Sequence, residues 1–222
     1  MHLFFDLDGT LTDSCTGIIR CVNHALEAGG RAPETDERLR GMIGQSLTRV
    51  FGAVMTPADE AAIDCALAAY RERFDAIGIF ENALYPGVPD ALARLRAAGH
   101  RLQVVTAKPT PAASRVLAHF DIDHYFDAVH GPALTDRGCD KAMLVGRALA
   151  RCRARAGDAM MIGDRVDDVL AASAHGVRAV GAGWGYGSTQ ELTGAGAVYV
   201  AGDIEDLLRY LLHPTTTSSS GP

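Results

Sequence analysis

Residues 4–14 read FFDLDGTLTDS, and the meaning of this stretch decides both fold and chemistry. The apolar run Leu3-Phe4-Phe5 suits a buried strand. It leads into Asp6 and Asp8 with one residue between them, then Gly9, Thr10 and a third acid, Asp13. In an extended chain alternate side chains share a direction, so Asp6 and Asp8 can point the same way. Two carboxylates held that close repel each other. They ionise together only around a cation; otherwise one takes up a proton. Oxygen donors of this kind suit a hard cation such as Mg²⁺. A hairpin closed by the Asp8-Gly9 turn signal is the plainest alternative. Such a turn needs neither Asp6 nor the apolar run before it.

Outward from this stretch the chain changes character twice. Residues 15–85 read as helical, with no convincing strand. Ile18, Ile19, Val22, Ala25 and Leu26 recur at helical spacing up to Gly29-Gly30. A further helix is expected from Thr56 as cap and Pro57 as first helical residue to about Gly78. The loop Gly41-Met42-Ile43-Gly44-Gln45-Ser46 separates shorter helices. From Pro86 onward helices and strands alternate. Strands are expected at 101–106, 126–130, 159–162, 177–180 and 197–200, and helices at 88–98, 111–120, 140–153, 167–175 and 204–212. This alternation predicts an α/β doubly wound parallel sheet. The core is expected to comprise residues 1–14 and 86–213, with 15–85 as an inserted helical cap domain. Residues 214–222 (PTTTSSSGP) read as a disordered low-complexity tail. Ligands of open α/β sheets bind beyond the carboxyl ends of the strands, where Asp6, Thr106 and Asp164 all fall.

The DLDGTLTDS run resembles the DxDGT signature of the haloacid dehalogenase superfamily, and further motifs follow in the family's order. The resemblance covers about residues 2–212. It implies that Asp6 is a nucleophile attacking phosphorus and Asp8 a general acid/base. Thr106, ending VVTAKP, falls on the second motif, whose hydroxyl holds a phosphoryl oxygen; Ala107 and Lys108 beside it are candidate substrate contacts. Lys141 falls on the third motif, a lysine that offsets the charge of nucleophile and phosphate. A lysine at a helix start is electrostatically disfavoured, which itself asks for an explanation. The KPxP run common there is replaced by Lys141-Ala142-Met143-Leu144. MMIGDRVDD, residues 160–168, resembles the fourth motif, in which Asp164 binds Mg²⁺ and Asp168 supports the metal. With Asp6 and the backbone carbonyl of Asp8, these form the implied metal site. Arg165 stands where many phosphoglycolate phosphatases carry Ser, a departure that looks like the 5′-nucleotidase-like branch. Trp184-Gly185-Tyr186-Gly187-Ser188 also resembles phosphoglycolate phosphatases, although its glycines equally suit a surface loop. By analogy, Gly44, Gln45 and Ser46 of the cap loop are candidate substrate selectors.

The resemblance implies a Mg²⁺-dependent phosphatase of a small phosphorylated metabolite, working through an aspartyl-phosphate. Phosphoglycolate and nucleoside monophosphates are the leading substrates. A phosphosugar mutase, a dehalogenase and a catalytically silent binding protein are the alternatives. Dehalogenation would leave Asp8 and Asp164 no metal to serve, and a silent relative could lose Asp6 without cost to the fold. A formal net charge of −6 without a basic run argues against nucleic acid or an anionic membrane as partner. No stretch approaches the length of a membrane span or a signal peptide. Five cysteines without a CxxC pair point to a reduced, cytoplasmic protein; a monomer or homodimer is expected, though nothing in the sequence decides between them.

Overall fold

The computed structural model describes residues 1–57, 59–136 and 139–212; the expected tail at 214–222 lies outside them. The chain opens with β1 (His2–Phe5) and a two-residue strand β2 (Thr12–Asp13). Four helices follow: α1 (Cys15–Ala28), α2 (Asp36–Arg40), α3 (Leu47–Val54) and α4 (Glu60–Ala76). After β3 (Ala83–Leu84) come α5 (Val88–Ala97), β4 (Arg101–Val105), α6 (Thr110–His119) and β5 (Ala128–His130). The chain continues through α7 (Lys141–Cys152), β6 (Ala159–Gly163), α8 (Val166–Ser173) and β7 (Arg178–Ala182). It closes with α9 (Thr189–Gly194), β8 (Tyr199–Ala201) and α10 (Ile204–Leu212).

A strand whose consecutive residues are all buried must lie inside a sheet covered on both faces. Leu3, Phe4 and Phe5 are each at most 2% exposed, and β1 sits within a six-stranded sheet of order β5-β4-β1-β6-β7-β8. Every pairing in it is parallel, with Phe5 opposite both Val104 and Ile162. Leu3 and Phe5 join the apolar layer of Leu92, Leu95, Leu207 and Leu208 from α5 and α10. Phe4 turns to the other layer, with Leu144 and Val145 of α7 and Val169 and Ala172 of α8. The α/β doubly wound reading therefore holds, and β1 is its central strand.

Between β2 and β3 the helices pack on one another. Ile19, Val22 and Leu26 of α1 and Leu67, Tyr70 and Phe74 of α4 are buried, and the Tyr70 and Phe74 rings stack at 5.8 Å. The chain leaves the sheet and returns through one antiparallel ribbon, with Thr12 opposite Leu84 and Asp13 opposite Ala83.

Several expectations need correction. Residues 15–85 do contain a strand, β3, too short for alternation to announce it. α4 begins at Glu60, not at Pro57, because the Asp59 carboxylate accepts from Ala62 N at 2.7 Å and makes the stronger cap. β7 and β8 run two and one residues beyond their expected ends, where glycine and alanine continue the pairing. α9 had not been anticipated; it is opened by a capping box between Ser188 and Glu191. Among the described residues no helix is long and apolar enough to cross a membrane.

Candidate active site

The three central strands β4, β1 and β6 deliver Thr106, Asp6 and Asp164 to one edge of the sheet, each immediately after its strand. Asp6 N continues the ladder by donating to Ile162 O at 2.9 Å, so its main chain is fixed by the sheet itself. Asp6 Oδ1 accepts from Leu7 N at 2.8 Å, and Oδ2 accepts from Lys141 Nζ at 2.7 Å. Lys141 is the first residue of α7, where the helix end disfavours a cation. Its ammonium overcomes this by donating also to Asp168 Oδ1 at 2.6 Å. Asp168 Oδ2 accepts from Arg165 N at 3.0 Å, so both oxygens of Asp168 are engaged by the protein. Asp164 Oδ1 accepts from Thr10 Oγ1 at 3.1 Å, and Oδ2 from Tyr186 N at 2.9 Å.

One oxygen each of Asp6, Asp164 and Asp168 lies within 4.8 Å of the others, a spacing that fits a shared cation. Gly9 makes the approach possible. Its φ is +86°, and a Cβ there would overlap the Asp164 carboxylate. Asp8 stands apart from the cluster. Its Oδ2 pairs with Lys108 Nζ at 2.8 Å, while Oδ1 is buried without a hydrogen-bond partner. The Asp8 side chain is not among the three grouped acids, so its expected contribution to the metal falls to its backbone carbonyl. The four carboxylates and the two lysine side chains are each at most 10% exposed. Ionised, they sum to a formal −2, the charge one divalent cation offsets. Burying such an imbalance is costly without a partner ion. The acids register this. Burial, then the charge of Asp6, pushes the Asp164 carboxyl up to about 6. Burial pushes Asp168 up to about 8, with Lys141 pulling against Asp6 and Asp164. Burial works against charged Lys141, but Asp168 and Asp6 outweigh it and hold the ammonium well above its usual range.

A cavity of about 430 Å³ opens from Asp6, Asp8 and Thr106 toward α1–α4. Thr106 is buried; its Oγ1 accepts from Lys108 N at 3.2 Å, which leaves the hydroxyl proton to donate elsewhere. Lys108 Nζ lies 4.9 Å from the centre of the Phe74 ring of α4. Ala107, Gly44, Gln45 and Ser46 all line the cavity, but the Ser46 hydroxyl is already used to cap α3 through Arg49 N at 3.4 Å. Most of the other wall is apolar, including Ile18, Met42, Leu67, Tyr70 and Phe74.

Sequence reasoning missed three contributors. Thr10 had been read only as part of a signature, and a threonine after Asp-Gly gives no hint of a partner 154 residues away. The Trp184–Tyr186 segment left a surface loop open as a reading. In the fold Trp184 Nε1 donates to Thr10 O at 3.0 Å, and Tyr186 N holds Asp164. The alternating glycines were the available signal, since they let backbone approach closely.

Two acids and a threonine placed by three adjacent parallel strands, with a lysine bridging Asp6 and Asp168, are the equipment of a hydrolase acting on an anionic ester. The model of the haloacid dehalogenase-like hydrolase family matches residues 3–182, and the chain belongs to that family. By class it is a phosphoric monoester hydrolase. It is 37% identical over 210 residues to a 5′-nucleotidase of Pseudomonas aeruginosa, covering 95% of each chain. A tyrosine-protein kinase, PtkA of Mycobacterium tuberculosis, is 39% identical over 186 residues; the match spans 83% of this chain and 62% of that protein. A phosphoglycolate phosphatase of Agrobacterium fabrum is 31% identical over 187 residues, 82% of this chain and 80% of its own. Among solved structures, a predicted phosphatase from Clostridium acetobutylicum superposes with a TM-score of 0.90 at 35% identity, covering 95% of this chain and 97% of its own.

Proposed function

We propose that the protein is a Mg²⁺-dependent phosphatase that hydrolyses small phosphate monoesters through an aspartyl-phosphate on Asp6. The observation that carries this reading is the buried set of four carboxylates and two lysines with a formal charge of −2. Asp6, Asp164 and the Asp8 carbonyl would hold the ion, with Asp168 and Lys141 fixing them from behind. When bound, it offsets this charge and that of a phosphoryl oxygen. Asp6 Oδ attacks phosphorus while the bond to the leaving oxygen breaks. Asp8 Oδ1, which no protein group occupies, donates the proton the leaving oxygen needs. It then takes a proton from water, whose oxygen attacks phosphorus and frees Asp6 and inorganic phosphate. Lys141 and the Thr106 hydroxyl hold the transferring oxygens. The helices α1–α4 serve as a cap that excludes bulk water and meets the leaving group.

The apolar wall around Tyr70 and Phe74 favours a leaving group with a flat or apolar body. A nucleoside 5′-monophosphate has one; phosphoglycolate presents a second anion instead. The match to the 5′-nucleotidase supports the same choice. The five free cysteines suit a reducing, cytoplasmic setting. Phosphate release is measured over a panel of small esters with Mg²⁺. Nucleoside 5′-monophosphates are expected to exceed phosphoglycolate in kcat/KM, and the reverse order would overturn the substrate choice. Release of no phosphate from any ester, with transfer to an added hydroxyl acceptor, would instead align the chain with the kinase.

A further inference from the structure

Tyr186 joins two places that are far apart in the chain. Its backbone N–H donates to Asp164 Oδ2 at 2.9 Å. Its hydroxyl donates to Asp13 Oδ1 at 2.9 Å and accepts from Ser14 N at 3.0 Å. Asp13 and Ser14 are where the chain leaves the sheet for the helices, and Asp13 Oδ1 also accepts from Cys15 N, the first residue of α1. Tyr85, where the chain returns, donates its backbone N–H to Leu11 O at 3.1 Å, which closes the crossing. The loop is held against the acid as closely as backbone can be. A Cβ on Gly185 would overlap Asp164 Cβ and Gly9 O. The hydroxyl of Tyr186 thus bonds Asp13, Ser14 and Tyr85 at the crossing, and its amide bonds the acid.

We propose that Tyr186 is a positioning residue that braces Asp164 against the crossing, so that the seating of α1 sets how firmly the acid holds a divalent cation. This inference rests on the proposed metal site. An aromatic ring is a stiff spacer, and beside it Trp184 Nε1 on Thr10 O ties down the same segment. Loss of the hydroxyl leaves the amide in place but frees its far support. Groups that hold a metal ligand from behind typically matter by about 10–100-fold in metal affinity, and one acting through a ring and a backbone bond belongs at the lower end.

The test is calorimetric titration of the full chain with MgCl₂, alongside the melting temperature without metal. Unmodified protein is expected to bind one Mg²⁺. Tyr186→Phe is expected to bind about tenfold more weakly, with a metal-free melting temperature close to the parent's. Asp13→Ala removes the bond the hydroxyl donates, leaves Ser14 N on it, and is expected to weaken Mg²⁺ binding in the same direction by no more than Tyr186→Phe does. The double variant is expected to be no weaker than Tyr186→Phe alone. Should Tyr186→Phe fail to fold, Asp13→Ala decides alone. Parent-like Mg²⁺ affinity in the variants that fold would overturn the brace and leave the metal site standing. Absence of Mg²⁺ binding by the unmodified protein would overturn the metal site and the brace with it.

Discussion

Replacing Lys141 by methionine keeps the volume of the side chain and deletes its charge. The ammonium donates to Asp6 at 2.7 Å and to Asp168 at 2.6 Å, and its side chain is 6% exposed. Removing one partner of a buried ion pair leaves the other uncompensated, at a cost of about 3–5 kcal/mol. Here two carboxylates lose their partner at once, and the formal charge of the cluster goes from −2 to −3. For a chain of this size about 1 kcal/mol moves the melting temperature by roughly 2–4 °C. Lys141→Met without metal is therefore expected to melt roughly 6–20 °C lower at pH 8. At pH 5.5 the loss is expected to shrink, because the acids can then take up protons instead. Urea denaturation at both pH values measures it. A variant within about 1 kcal/mol of the parent at pH 8 would refute the claim that Lys141 offsets the cluster charge. In turnover, loss of this donor is expected to lower kcat by about 10²–10³.

The same charge excess makes the metal-free protein sensitive to pH. Burial, with the charge of Asp6, pushes the folded Asp164 carboxyl up to about 6 from its ordinary 3.8, and burial pushes Asp168 up to about 8. A raised carboxyl stabilises the fold below its ordinary value, and that stabilisation is lost as pH rises through the folded value. For Asp164 the loss amounts to about 3 kcal/mol. Protein kept in EDTA is therefore expected to melt lower at pH 8 than at pH 5, and the gain on adding Mg²⁺ is expected to be larger at pH 8. A Mg²⁺ gain independent of pH, followed by scanning calorimetry, would contradict the charge argument. Gly9→Ala places a Cβ on the Asp164 carboxylate at a φ of +86°. It is expected to cost more than about 1 kcal/mol and to weaken Mg²⁺ binding; unchanged affinity by titration would count against the close approach.

The sheet and the acids were legible because their signals are local. A run of Leu3, Phe4 and Phe5 can only be buried on both faces, and a strand ending in acid announces itself. Lys141 was legible through a misfit, a cation at the wrong end of a helix. What escaped was set by contacts between distant segments. The brief pairing of Thr12 with Leu84 has no alternation to read. The pairing of Asp8 with Lys108, and of Tyr186 with Asp13, depends on two loops meeting above the sheet. Thr56 was the expected cap of α4, and the cap falls instead on Asp59, whose carboxylate accepts from Ala62 N.

The central claim is that Asp6 is the atom that attacks. Asp6→Asn keeps one of the two oxygens that Leu7 N and Lys141 Nζ engage and removes the nucleophilic charge. Phosphate release with saturating Mg²⁺, on the best ester of the panel, tests it directly. The account predicts no turnover above background in a variant that stays folded. Continued release of phosphate by folded Asp6→Asn would contradict it.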